Sequence, residues 1–247
     1  MSKSPSTPGT SDAAGFAATR WTLVLAAARG NATPRAGEAM AELCRFYWYP
    51  LYAYIRRRGH DTHEAEDLTQ EFFLRLLAKN YLASVDRDKG KFRAFLLASL
   101  KHFLANEWDR SRALKRGGGQ TVVPINAIDA ESRYCREPWH DLTPEKLFER
   151  RWALTVLDQG LARLQAELSA EGKQSLFDSL KPFLTGGHES GGYAAAAAEL
   201  RMSEGALKTA VHRLRRRYRQ LLRDEIAQTV TSPDEIDEEI KYLLSCL

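Results

Sequence analysis

The chain has 247 residues, 44% hydrophobic and 28% charged, with a formal net charge of +4, which suits one large or two small folded domains and excludes a disordered polyelectrolyte. Cys44, Cys135 and Cys246 are scattered without a CxxC pair, which argues against a zinc site or disulfide framework and for a reducing compartment. No apolar run nears the ~18 residues of a membrane span, and the N-terminal "MSKSPSTPGTSDAAG" lacks the apolar core of a signal peptide, so a cytoplasmic protein with no membrane partner is expected.

Residues 1–15 read as a disordered tail. "FAATRWTLVLAAA", from Phe16, is helical in composition. "AGEAMAELCRFYWYPLYAYIRRRG" continues as helix, with Pro50 forcing a kink or a restart. "THEAEDLTQEFFLRLLAKNYL" follows, with Thr62 as candidate N-cap and Glu64, Glu66 and Asp67 in the first turns, where the helix dipole favours acids. A charged loop, "VDRDKGK", precedes the long helix "FRAFLLASLKHFLANEWDRSRALKR", which the triple glycine at 117–119 stops. Between Gln120 and about Asp141 there is no stable helical period, and Pro124 and Pro138 interrupt the stretch. A structureless connection of that length is functional or disordered rather than part of a compact core.

Thr143 followed by Pro144 has the pattern of an N-cap with proline at the first helical position. The helix "EKLFERRWALTVLDQGLARLQAEL" comes next, then "KQSLFDSLKPFL", then "YAAAAAELRMSEGALKTAVHRLRRRYRQLL". No strand and no internal repeat is evident. The fold expected is all-α: one helical domain at 16–116, a flexible linker at 117–142, a second helical domain at 143–228 and an acidic extension at 229–247.

The arginine-rich stretch carries the strongest signal. Tyr193 to Leu200 form one helix, Arg201 and Met202 turn the chain, and Ser203 caps the next, with Glu204 at its positive end. Leu207, Val211, Leu214, Tyr218 and Leu221 recur at helical spacing as one buried stripe. Lys208, Thr209, His212, Arg213, Arg215, Arg216 and Arg219 are left on the other faces. This is the layout of a helix-turn-helix, whose second helix enters the major groove. Spacing alone also allows a solvated amphipathic pair. Charge favours DNA: Arg201 to Arg223 holds eight Lys or Arg against one acid, and such a block repels itself unless a polyanion is present.

On a helical wheel, Ala65, Leu68, Thr69, Phe72, Phe73 and Leu76 form one side of the upstream acidic helix. Glu66, Asp67, Gln70, Leu74 and Leu77 form the opposite side, with Glu71 at its edge. Leucines on an acidic outer face suit a basic partner with apolar pockets, or a helix buried on both sides.

Three segments together resemble bacterial RNA polymerase sigma factors of the extracytoplasmic-function (ECF) group. "EAEDLTQEFFLRLL" is similar to the group's core-polymerase-binding helix, "GKFRAFLLASLKHFLANEWDRSRALKR" to its promoter-melting and minus-ten-reading segment, and the helix pair at 193–222 to its minus-35 reader. The resemblance spans roughly residues 38–116 and 143–223, in the family's order. It implies two all-α sigma domains, region two and region four, with core RNA polymerase and promoter DNA as partners. The resemblance also leaves room for an anti-sigma or other regulatory protein as a partner. By motif position, Asp67, Gln70 and Glu71 match polymerase contacts, with Leu74 and Leu77 as apolar neighbours. The loop from Asp86 through Arg87, Asp88 and Lys89 to Lys91 matches the one that receives a flipped minus-ten base. His102, which departs from the asparagine found there in many relatives, and Asn106 line that site. In the recognition helix, Ser203, Glu204, Lys208, Thr209, His212, Arg213, Arg216 and Arg217 match the minus-35 contacts.

The physics of melting fits that assignment. Flipping a base costs a few kcal/mol, and stacking on an aromatic returns ~1–3 kcal/mol per base. Trp108 with Arg110, Arg112, Lys115 and Arg116 can supply stacking and phosphate neutralisation, unless Trp108 is a partly buried anchor. A coil over residues 112–142 averages roughly 30 Å and reaches roughly 100 Å extended, which covers two promoter boxes. The acidic C-terminus, with Ile236, Ile240, Leu243 and Leu244 at helical spacing, can fold onto the recognition helix, bind a regulator or extend the helical core. No phosphate loop, nucleophile elbow or HExxH motif marks an enzyme, and no cofactor or metal is expected. The competing readings are a conventional helix-turn-helix regulator and a helical adaptor.

Overall fold

A computed structural model describes residues 34–78, 91–113, 127–135, 142–185, 192–230 and 232–247. Among these residues there are ten helices and no strand: α1 (Pro34–Arg57), α2 (Thr62–Ala78), α3 (Phe92–Ala113), α4 (Ala127–Cys135), α5 (Pro144–Ala170), α6 (Gln174–Leu180), α7 (Pro182–Thr185), α8 (Gly192–Glu199), α9 (Glu204–Ala227) and α10 (Glu235–Ser245). The expected helix at 16–28 and the expected tail at 1–15 lie outside the described residues.

The aromatic run of α1 explains the first packing layer. Tyr47, Leu51, Tyr52, Tyr54 and Ile55 are all but fully buried. Pro50 sits inside α1 without ending it, so the helix does not restart there, and the proline is buried. Gly59, at φ +98°, makes the turn into α2 that a Cβ would strain. The cap of α2 is Asp61 rather than Thr62: its carboxylate accepts the Glu64 amide at 2.8 Å, one residue earlier than the sequence suggests. Ala65, Thr69, Phe72, Phe73 and Leu76 of α2 are buried against α1 and α3, where Phe72 meets the Phe103 ring. The Thr69 hydroxyl is satisfied by donating to the Ala65 carbonyl at 2.6 Å.

This core does not stop at α3. Phe148, Trp152, Ala153 and Val156 of α5 join it, and so do Ile226, Val230, Ile236 and Leu243 from the C-terminal end. A second core forms at the far end of α5, where Leu164 meets Phe177, Leu180 and Phe183 below the stripe Leu207, Val211, Leu214 and Leu221 of α9. Gly160 lets α9 approach α5, because a Cβ there would lie 2.7 Å from Leu222.

The stretch expected to lack helical period contains α4. Nine residues are too few for a stable isolated helix, and tertiary contacts hold this one. Glu131 accepts from two Arg56 nitrogens, Nε and Nη2, at 3.0 and 2.7 Å, and from the Tyr52 hydroxyl at 2.5 Å. Arg56 draws the Glu131 pKa down from 4.5 to about 2.

Candidate nucleic-acid and partner interfaces

α2 presents a mixed outer face. Asp67 is exposed, Glu66 and Gln70 are partly so, and Leu74 keeps 43% of its surface in water two turns beyond Asp67. Glu71 is less available, because it holds Arg75 at 2.7 Å. Arg75 in turn pairs with Glu107 of α3 at 2.6 Å and stacks over Phe103, which fixes the angle between α2 and α3. The outer face therefore sets a carboxylate and an exposed leucine two turns apart, suited to a cationic surface with an apolar pocket. The side chain of Leu77 lies outside the described residues.

On α3 a four-residue spacing separates two stripes. Ala94, Ala98, His102 and Asn106 are exposed, and the two small residues leave room for a ligand to approach the backbone. Next to them Arg93, Leu97 and Lys101 face α5. Trp108 is 64% exposed, which favours an open stacking surface over a buried anchor. It borders a cleft with Arg58, His60, Leu68 and Lys101. Of the expected loop, Lys91 alone is described: it pairs with Glu239 and lies 5.5 Å from the Tyr242 ring centre. Asp86, Arg87, Asp88 and Lys89 lie outside the described residues, as do Lys115, Arg116 and the side chains of Arg110 and Arg112.

A tight turn joins α8 to α9. Arg201 takes φ +52°, and the Met202 amide donates back to the Ala197 carbonyl at 2.9 Å. Ser203 caps α9, accepting the Ala206 amide at 3.2 Å. With 100° per residue, the direction opposite the buried stripe is centred on Arg216, flanked by Thr209, His212, Arg213 and Arg219. All five are exposed. Among the described residues, no hydrogen bond or ion pair holds the side chains of Arg213, Arg216 and Arg219.

Other basic residues of α9 are committed. Lys208 holds Glu204 at 2.7 Å beside the Tyr193 ring, and that carboxylate raises its pKa. Arg217 grips Glu167 of α5 through two bonds of 2.7 and 2.6 Å, which lowers the Glu167 pKa. Arg215 donates twice to the Phe183 carbonyl, at 3.3 and 2.9 Å, and so ties α9 to the end of α7. The sequence pattern alone does not separate Arg215 and Arg217 from the solvent-facing arginines, since their partners lie 32 and 50 residues away.

Residues 49–113 match the family model described as Sigma-70 region 2. That span covers the second part of α1 and all of α2 and α3, the hairpin that carries both exposed stripes. No curated protein and no solved structure matches the chain. The match supports a factor of the sigma-70 family with a role in RNA polymerase binding and promoter recognition. Among the described residues, no helix is long and apolar enough to cross a membrane.

Proposed function

We propose that the protein is a sigma factor of the ECF group, which binds core RNA polymerase, directs it to a promoter and helps open the strands. The observation that carries this reading is the coincidence of the region-two match with the α2–α3 hairpin, whose two exposed stripes have different chemistry. Asp67 and Leu74 form the polymerase face, with Gln70 between them. His102 and Asn106, one turn apart on α3, read the minus-ten strand with Trp108 as a stacking surface. The α9 face centred on Arg216 contacts the minus-35 duplex. On this reading residues 16–116 act as region two, 143–228 as region four and 117–142 as the connection. The chain works in the cytoplasm, where its polymerase is.

Promoter opening separates this function from that of a conventional helix-turn-helix regulator, which needs only the duplex. Asn106→Ala should leave polymerase assembly intact and reduce the permanganate reactivity of unpaired thymines in the minus-ten region. A template already mispaired there should recover much of the loss, because the unpairing cost has been removed in advance. Opening that is indifferent to Asn106→Ala and to shortening of the loop at 86–91 would favour the regulator.

A further inference from the structure

Two of the buried charges among the described residues, Arg93 and Glu239, meet on one side of α3. Arg93 is buried, yet it is met by Glu149 of α5 at 2.8 Å and by Glu239 of α10. Glu239 is only 1% exposed and also takes Lys91. Two turns along, Lys101 holds Glu145 of α5 at 2.8 Å. Three cations on one edge of α3 thus meet three carboxylates from the C-terminal half. Stability does not explain the choice: a buried ion pair rarely outperforms well-packed apolar side chains of the same volume. The surroundings could have accepted such side chains, since Trp152 and Tyr242 stack on Arg93 from 4.7 and 4.2 Å. Position offers a better reason. Arg93 and Lys101 lie ~12 Å apart along the axis, immediately beside the exposed stripe Ala94, Ala98, His102 and Asn106.

We propose that Lys91, Arg93 and Lys101 form a phosphate-binding strip for single-stranded DNA, and that Glu239 and Glu145 occupy it as phosphate surrogates until DNA displaces them, while Glu149 stays with Arg93 and orients it. The proposal rests on the reading of the neighbouring stripe as the promoter-strand surface. α10 is the part that moves. Its other anchors include the Ile236, Ile240, Leu243 and Cys246 side chains, the Tyr242 ring on Arg93, the Arg223–Asp237 pair and the bond from Arg150 to the Leu247 carbonyl. α5, by contrast, stays fixed in the core through Phe148 and Trp152. Glu145 sits at the open edge and yields locally. The closed chain therefore presents a charge-paired border to DNA, and lifting α10 removes the Glu239 carboxylate from Lys91 and Arg93.

The test uses the free full-length chain and a fluorescein-labelled single-stranded DNA oligonucleotide, with anisotropy followed across KCl concentrations. Glu239→Gln with Glu145→Gln should bind more tightly than wild type. Its log–log salt slope should be steeper by roughly 1.4, about 0.7 for each of two added phosphate contacts. Arg93→Gln placed in that background should cancel part of the gain. Glu171→Gln, which makes the same kind of charge change at an exposed pair with Lys173, should give neither effect. Hydrogen exchange in residues 235–245 should quicken in Glu239→Gln and, for wild type, on adding DNA. An unchanged slope, a gain that survives Arg93→Gln, or α10 protection that DNA does not alter would each overturn the proposal. If Glu239→Gln does not fold, Glu145→Gln alone decides the slope. Assembly with core polymerase is measured separately. Its absence would sink the sigma-factor reading while the DNA data still judged the strip, and a failed strip with normal assembly would sink the strip alone.

Discussion

Arg216→Ala and Arg217→Ala should behave differently although the residues are adjacent and both exposed. Arg216 faces away from the buried stripe of α9 and is held by no neighbour among the described residues, whereas Arg217 is clamped to Glu167 by two bonds. A free guanidinium that neutralises one duplex phosphate contributes a salt slope of ~0.9. At ~0.15 M salt that corresponds to about 1 kcal/mol of binding. The gap between wild type and Arg216→Ala should therefore narrow from roughly fifteenfold at ~50 mM KCl to roughly fourfold at ~200 mM. Arg217→Ala should instead parallel wild type in slope and lose stability by at most ~1 kcal/mol, the usual worth of an exposed pair. The assay is anisotropy of a labelled duplex, with thermal melting as the stability control. A flattened slope for Arg217→Ala with a wild-type slope for Arg216→Ala would refute the geometric assignment of the DNA face.

Two further predictions concern the scaffold. The Glu131 carboxyl is held at a pKa of about 2 against an ordinary 4.5, chiefly by Arg56. Its folded pKa is depressed, so its contribution is present above ~pH 4.5 and is lost as pH falls towards 2. Allowing for its partial exposure, Glu131→Gln should cost about 2 kcal/mol at pH 7 in urea denaturation, and the difference from wild type should shrink below ~pH 4.5; a constant difference from pH 7 to pH 3 would contradict the clamp on α4. Trp152→Ala removes the largest side chain that α5 gives to the α1–α3 core and should cost ~3–5 kcal/mol; a loss under ~1 kcal/mol would contradict the shared core.

Features set by local chemistry were legible in the sequence. Ser203 and Thr143 accept the amides of Ala206 and Lys146 as their types and positions suggest, and Leu207, Val211, Leu214 and Leu221 are buried as their spacing demands. The inner side of α2 follows its wheel for the same reason. Features set by distant partners were not legible. α4 exists because Glu131 reaches Arg56 and Tyr52, 75 and 79 residues away. Glu239 reads as one acid in an acidic tail until α10 folds it against Arg93. The C-terminal segment extends the core through Ile236 and Leu243 and also contacts the end of the recognition helix through Arg223, so two of its three anticipated roles coexist. On α9, similar arginines differ in role because Glu167 and the Phe183 carbonyl stand beside some of them and not others.

On the proposed function, the outer face of α2 joins this chain to core RNA polymerase. The most direct test is the equilibrium affinity of the full-length protein for core polymerase, wild type against Asp67→Arg, with circular dichroism and melting temperature recorded for both. Asp67 is exposed, so the substitution should leave helicity and melting unchanged. Against a cationic partner it should weaken association roughly 30-fold or more, the scale of an interface hot spot of about 2 kcal/mol. Wild-type protein that does not bind the polymerase, or Asp67→Arg protein that binds it with undiminished affinity, would contradict the account.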